Sequence, residues 1–379
     1  MPEFSEMTEE SPHTTPPSPT SDLHPKLPAR VLIRVPNWVG DAVMALPALR
    51  ELRRIFAGSH ITLAARPWVQ GLFEGEGLAD NFISLGDAHR PPGRAIRFIS
   101  EASRFRRERF DFAVLLTNSF GTALAARAGG VKKVAGYATD ARRLLLDQVI
   151  PFEPAYKTIH QVRYYLNIAA HIETGITGKG HVDFQDCEPR LEVSEEQKQH
   201  ARSLLARFGL GGGPGQILAI NPGATNSSAK RWPAERFAKT ADRLNERRGF
   251  HTVIVGTTAD KKVAEEVARQ MRTRAAMIAG ETSIAELKAV LACARLVISN
   301  DTGTSHVSAA LGVPTVVVFG PTEHVSTRPL SQRAAVVRHD VECSPCMLRE
   351  CPIDHRCMTR VEVDDVYNAA QALSVGAAR

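Results

Sequence analysis

The chain has 379 residues, 43% hydrophobic and 23% charged, which suits about two globular domains and excludes fibrous and wholly disordered classes. No apolar run approaches the roughly 18–20 residues needed to cross a bilayer, and the acidic, proline-rich start lacks the basic and apolar regions of a secretory signal. Forty-seven Lys and Arg against 41 Asp and Glu leave +6, which suits anionic partners without choosing among nucleic acid, a phosphorylated small molecule and an acidic membrane surface. A cytoplasmic protein is expected. Six cysteines in so long a chain do not make a disulfide scaffold.

Residues 1–28 hold seven of the 23 prolines and eight Ser or Thr. Such a segment buries too little apolar surface to offset its ordering entropy, so a disordered tail is expected there. Strand-like runs at 31–35, 60–65, 81–85, 111–116 and 145–150 then alternate with helical patterns near 41–56, 94–109 and 158–173. Gly211-Gly212-Gly213-Pro214-Gly215 marks a linker. The rhythm restarts with strands at 217–220, 251–255, 275–279, 295–299 and 314–319, separated by helices near 233–248, 259–272, 283–293 and 304–311. This alternation predicts an α/β protein whose parallel sheets are covered on both faces. The expected domains are 29–205 and 206–360, two doubly wound Rossmann-like units facing a central cleft. The last segment, 361–379, holds a helix near 361–373 that is expected to pack back onto the first half.

Ligands of open parallel sheets bind beyond the carboxyl ends of the strands, so the segments after each strand form one surface to inspect. In the second half they are Asn221-Pro222-Gly223-Ala224-Thr225, Gly256-Thr257-Thr258-Ala259-Asp260, the stretch 300–306, and Gly320-Pro321-Thr322. All are small, polar or turn-forming, which four times over on one edge points to a nucleotide-type site. In the stretch 300–306, Thr302 and Gly303 stand at a helix mouth, where free N–H groups could seat a diphosphate. Asp301 could accept hydrogen bonds from sugar hydroxyls, or Asp301 or Thr302 could simply cap the helix. His306, one turn in, fits a core histidine or a ligand contact. Lys230, in Lys230-Arg231-Trp232-Pro233, fits a phosphate as a point charge or solvent as a loop lysine. There is no GxxxxGK[ST] loop, and no GxGxxG follows the first strand, which argues against P-loop and common dinucleotide chemistry. In the first half, Asp41 follows Gly40 on the opening loop, where a carboxylate can act as a general base or cap the next helix.

Together these residues are the basis of a family resemblance. Asn37-Trp38-Val39-Gly40-Asp41 with Ala45-Leu46-Pro47, Asn221-Pro222-Gly223-Ala224, Lys230-Arg231-Trp232-Pro233, Asn300-Asp301-Thr302-Gly303 and Phe319-Gly320-Pro321-Thr322 resemble the motifs of the bacterial lipopolysaccharide heptosyltransferases, over about 30–373. These belong to glycosyltransferase family 9 and have the GT-B architecture. The Trp-Val-Gly-Asp form looks most like the members that add heptose II to heptose I of the inner core.

The resemblance implies an inverting transferase with ADP-heptose as donor in the C-terminal half and the lipopolysaccharide inner core as acceptor. Lys230 and Thr225 would hold the phosphates, Asp301, Thr302 and Gly303 would meet the sugar and diphosphate, and Asp260 would lie near the adenosine ribose. Asp41 would take the proton of the acceptor hydroxyl. No metal or cofactor is implied.

Other readings remain open: a GT-B transferase with another nucleotide sugar, or a non-catalytic sugar- or nucleotide-binding protein. A nucleic-acid partner is not expected, because no aromatic-basic platform accompanies the charge. Residues 90–109 carry seven arginines, a candidate for peripheral contact with the cytoplasmic face of the inner membrane or with acceptor phosphates. Arg97 with Glu101 and Arg104 with Glu108 stand at ion-pairing spacing, which would make part of this a solvated face. Cys343, Cys346, Cys351 and Cys357, with His355 among them, are expected as reduced structural thiols, with a zinc site or a disulfide as the alternatives.

Overall fold

A computed structural model describes residues 27–86, 93–153, 158–210, 216–225 and 227–375. The tail expected at 1–28 falls almost wholly outside the described residues, as does the glycine-rich linker. The first half contains β1 (Arg30–Arg34), β2 (His60–Ala65), β3 (Asn81–Ser84), β4 (Phe112–Leu115), β5 (Lys133–Tyr137) and β6 (Gln148–Ile150). The second contains β7 (Ile217–Asn221), β8 (His251–Ile254), β9 (Ala275–Met277), β10 (Leu296–Asn300), β11 (Thr315–Val318) and β12 (Ala334–Val337). Each half forms one six-stranded sheet, in the orders β3-β2-β1-β4-β5-β6 and β12-β11-β10-β7-β8-β9. Numbered within each half, the two orders are the same, and every pairing is parallel. This is the doubly wound Rossmann-like order, used twice, as GT-B requires.

The central strands are buried along nearly their whole length, because helices cover both sheet faces. The chain reverses its winding direction beside β1 and β7, which therefore deliver their following loops to the two facing crevices. The helix expected over 41–56 is in fact two, Val39–Met44 and Leu46–Ile55, parted at Ala45. Pro47 explains the break: it has no N–H to donate, and it sits in the first turn of the second helix, where none is needed.

Two placements differ from expectation. Helix Val363–Val375 does not return to the first half; Val366, Tyr367 and Ala370 join Trp232, Phe237, Val316 and Val318 in the core of the second. Its apolar stripe finds cover there, and Arg243 stacks 3.8 Å over the Tyr367 ring. Helix Glu195–Arg207 packs on helix Ile284–Ala292 of the second half, whereas helix Gln161–Thr177 packs on Leu46–Ile55 of the first. The chain thus changes halves before residue 195, earlier than the expected boundary at 205/206.

The halves meet where helix Val39–Met44 lies against helix Gly303–Ala310. One apolar core runs through this contact, holding Val43, Leu49 and Ile172 together with Leu291, Val307 and Val313. Beside it, the fully buried Lys288 extends its Nζ from the second half to Glu74 O at 3.0 Å and Glu76 Oε1 at 3.2 Å in the first.

Candidate active site

The loop after β1 is fixed from below. Arg34 is buried at the end of the strand, donating from Nη1 to Val35 O at 2.6 Å and from Nη2 to Asn37 Oδ1 at 2.8 Å. Trp68 Nε1 donates to Asn37 O at 2.8 Å. The loop then enters helix Val39–Met44, with Asp41 in its first turn. No side chain caps that helix, so the capping role open to Asp41 from sequence is not the one it has. Burial pushes the Asp41 carboxyl up to about 6; the positive charge of Lys230 opposes that rise and the negative charge of Asp301 adds to it. Asp41 from the first half therefore shares one electrostatic site with Lys230 and Asp301 from the second. A carboxyl with such a value can exchange a proton near neutral pH.

In the second half, two asparagines knit the loops together. Asn221, at the end of β7, donates to Thr304 Oγ1 at 2.7 Å and Thr302 Oγ1 at 3.2 Å, and accepts from the Gly223 N–H at 3.1 Å. Asn300, at the end of β10, donates to Pro222 O at 2.9 Å and accepts from the Trp232 N–H at 3.0 Å. This network holds the segment bearing Lys230 against the one bearing Asp301. Lys230 Nζ lies 2.8 Å from Asp301 Oδ2, which also accepts from Thr322 Oγ1 at 2.7 Å. Thr302 is the N-cap residue of helix Gly303–Ala310, yet neither it nor Asp301 caps the helix through its side chain. An uncapped N-terminus beside a lysine can neutralise an anion.

The remaining predicted residues are placed as follows. Gly303 abuts the first half so closely that an added Cβ would lie 2.7 Å from Val39 Cβ. His306 is buried against Gly40, and burial lowers its pKa to about 4, so the ring is neutral at physiological pH. It packs the two halves together rather than lining open cleft. Asp260 is buried under Gly223; its Oδ2 accepts from Thr257 N at 3.0 Å and Thr257 Oγ1 at 2.6 Å, while its buried Oδ1 has no hydrogen-bond partner. Thr225 is exposed on the loop ahead of Lys230.

Sequence reasoning assigned no role to Thr322, Tyr165 or His160. Tyr165 is buried, and its hydroxyl pKa is raised well above the usual value, by burial first and by the charge of Asp41 next. His160 Nδ1 accepts from the Val162 N–H at 3.2 Å, which leaves Nε2–H to donate to Arg328 O across the halves at 2.8 Å. Such pairings join distant segments and leave no local pattern.

The cysteine segment lies against the donor-side loops. Ala229 N donates to Arg349 O at 3.0 Å, and His355 Nε2 lies 2.6 Å from Ala229 O, next to Lys230. Burial raises the Cys357 thiol to about 11, with Cys343, Cys351 and Cys346 adding to the shift. All four thiols are free, and no group of three or more His, Cys, Asp or Glu among the described residues is arranged to hold a metal ion.

The chain is 29% identical to the lipooligosaccharide heptosyltransferase 2 of Campylobacter jejuni, over 91% of this chain and 98% of that protein. It is 28% identical to the lipopolysaccharide heptosyltransferase 2 of Escherichia coli, over 82% and 88% respectively. The structure of the E. coli ADP-heptose lps heptosyltransferase II superposes with a TM-score of 0.77 at 25% identity, covering 92% of this chain and 100% of that one. The profile of glycosyltransferase family 9 (heptosyltransferase) matches residues 99–356. With more than half of its length inside that profile and the two-sheet cleft the fold requires, the chain belongs to glycosyltransferase family 9, the heptosyltransferases.

Proposed function

We propose that this enzyme transfers L-glycero-D-manno-heptose from ADP-heptose to heptose I of the lipopolysaccharide inner core, with inversion. The observation that carries the reading is the convergence of Asp41 with Lys230 and Asp301 across the cleft. The donor lies on the second half. Lys230 turns from Asp301 to the diphosphate or shares it, and the N–H groups of Thr302 and Gly303 face the same phosphates. Asp301 accepts from the heptose hydroxyls, Thr225 closes the phosphate side, and Asp260, whose Oδ1 has no hydrogen-bond partner and lies 4.0 Å from Arg231 Nη2, accepts from the ribose. The heptose I hydroxyl approaches from the first half. Asp41 accepts its proton as the oxygen attacks the anomeric carbon, while the bond to the diphosphate breaks and the charge passes to ADP. The high Asp41 pKa makes it a stronger base than an ordinary carboxylate.

The test is to incubate purified protein with ADP-heptose and a de-acylated acceptor ending in heptose I, then measure ADP release and the mass of the product. Addition of one heptose per acceptor is expected. No ADP release with this pair, in protein that binds ADP, would overturn the acceptor assignment. Calorimetry that finds UDP or GDP bound more tightly than ADP would overturn the donor.

A further inference from the structure

Ile96 is 61% exposed, Ile99 62%, Phe120 42% and Leu144 94%. In sequence they are scattered, but the topology gathers them. Ile96 and Ile99 stand in the opening turns of helix Arg94–Glu108, which follows β3. Phe120 opens helix Phe120–Ala128 after β4, and Leu144 lies in the 3-10 turn Arg143–Leu145 after β5. These three segments pack side by side on one face of the first sheet. Ile96, Ile99 and Phe120 stand in the opening turns of helices that leave the carboxyl edge, the edge that also carries Asp41. Leu144 flanks them part-way back along the same face, where the adjacent Leu145 O accepts from Arg127 Nε at 2.9 Å.

The charge around them is basic. Glu101 does not pair with Arg97 as their spacing predicted; it turns inward, 3.4 Å from the buried Arg34. Glu108 pairs with Arg30 rather than Arg104. Arg97 and Arg143 are exposed and make no ion pair among the described residues. Asp140, the acid beside Phe120, accepts from the Phe120 N–H at 2.6 Å. Protruding aliphatic and aromatic side chains flanked by two arginines without ion pairs match the interface of an anionic bilayer, where apolar tips enter the acyl boundary and cations stay with the headgroups.

We propose that this rim, built on Ile96, Ile99, Phe120 and Leu144 with Arg97 and Arg143, docks on an anionic phospholipid surface and holds the acceptor side of the cleft against it. The proposal rests on the lipid-linked acceptor of the reading above, because a sugar acceptor anchored in a bilayer can be reached only by a cleft held at the headgroup level. No helix of the described residues is long and apolar enough to cross a membrane, so the contact is peripheral.

The test is sedimentation of purified full-length protein with vesicles of phosphatidylglycerol and phosphatidylethanolamine, against vesicles of phosphatidylcholine. Wild type should bind the anionic vesicles and be released by salt. Ile96→Ser with Leu144→Ser should weaken binding about tenfold or more, and Arg97→Glu with Arg143→Glu should remove the preference for anionic lipid. Both variants should keep the wild-type melting temperature and turnover on de-acylated acceptor, while losing turnover on acceptor embedded in the anionic vesicles. Equal binding by wild type and variants, or no binding by wild type, would overturn the rim. Because transfer to the soluble acceptor is measured separately, a wild type that transfers heptose but does not bind the vesicles sinks only the rim. The reverse outcome sinks only the proposed reaction.

Discussion

Lys230 Nζ lies 2.8 Å from Asp301 Oδ2. Asp301 is the more buried partner and also accepts from Thr322, so the lysine has a fixed carboxylate for a partner. A diphosphate has to offer Lys230 at least as much as that carboxylate does.

Lys230→Ala should therefore weaken ADP binding by roughly 1.5–3 kcal/mol, the range for a hydrogen bond to a charged group. Calorimetric titration with ADP measures it. An unchanged affinity would show that the lysine serves Asp301 alone.

Asp41→Asn separates base chemistry from folding. An amide cannot take the acceptor's proton, so turnover should fall by about 10²–10⁴. Wild-type turnover should decline as pH falls through about 6, where the carboxyl protonates, and the residual rate of the variant should lack that limb. Stability has the opposite sign. The folded-state pKa lies above the ordinary 3.8, so the native state binds the extra proton between those values and wild type loses stability as pH rises through that window. The melting temperature of Asp41→Asn relative to wild type should climb from about pH 4 to about 6 and level off above. Near wild-type turnover in the variant would leave the proposed mechanism without its base.

Gly303→Ala tests the contact between the halves. Its Cβ would fall 2.7 Å from Val39 Cβ and 3.3 Å from the Gly40 backbone nitrogen, atoms that cannot swing aside. Although alanine is the better helix former, overpacking should cost about 1–3 kcal/mol. Turnover should drop as well, because Asp41 shares the helix that must retreat. Urea denaturation alongside the transfer assay checks both.

The cysteine segment carries a prediction of composition. Protein purified under reducing conditions should hold no stoichiometric zinc. Metal analysis that finds about one zinc per chain, lost in Cys343→Ser or Cys346→Ser, would make the segment a metal staple beside the donor loops.

Most strands were legible because buried parallel strands are short β-branched runs, such as Val297 and Ile298 in β10 or Val316 to Val318 in β11. β5 and β12 escaped notice for the opposite reason. Gly136 interrupts the apolar pattern of β5, yet it is needed where a Cβ would press on Leu115 and Arg142. β12 is an edge strand, half-buried throughout and led by two alanines. Among the site residues, Asp41, Lys230 and Asp301 could be found from their loops, and the structure brings them together. What sequence could not supply was the partner of each: Thr322 for Asp301, Glu101 turning to Arg34, Glu76 reaching Lys288. Those choices are made by chain segments tens to hundreds of residues apart. The final helix was misplaced because an apolar stripe says only that it needs cover, not which sheet supplies it.

The core shared by Val43, Leu49 and Ile172 with Leu291, Val307 and Val313 bears on how the molecule comes apart. Splitting the chain between its sheets would bare a large apolar face on each piece and strand the ammonium of Lys288 without the carboxylate and carbonyls that surround it. Neither piece is then a folding unit in its own right. Heating should give one cooperative transition rather than two, and grafting the donor half of a relative onto this acceptor half succeeds only if the graft brings its own matching seam.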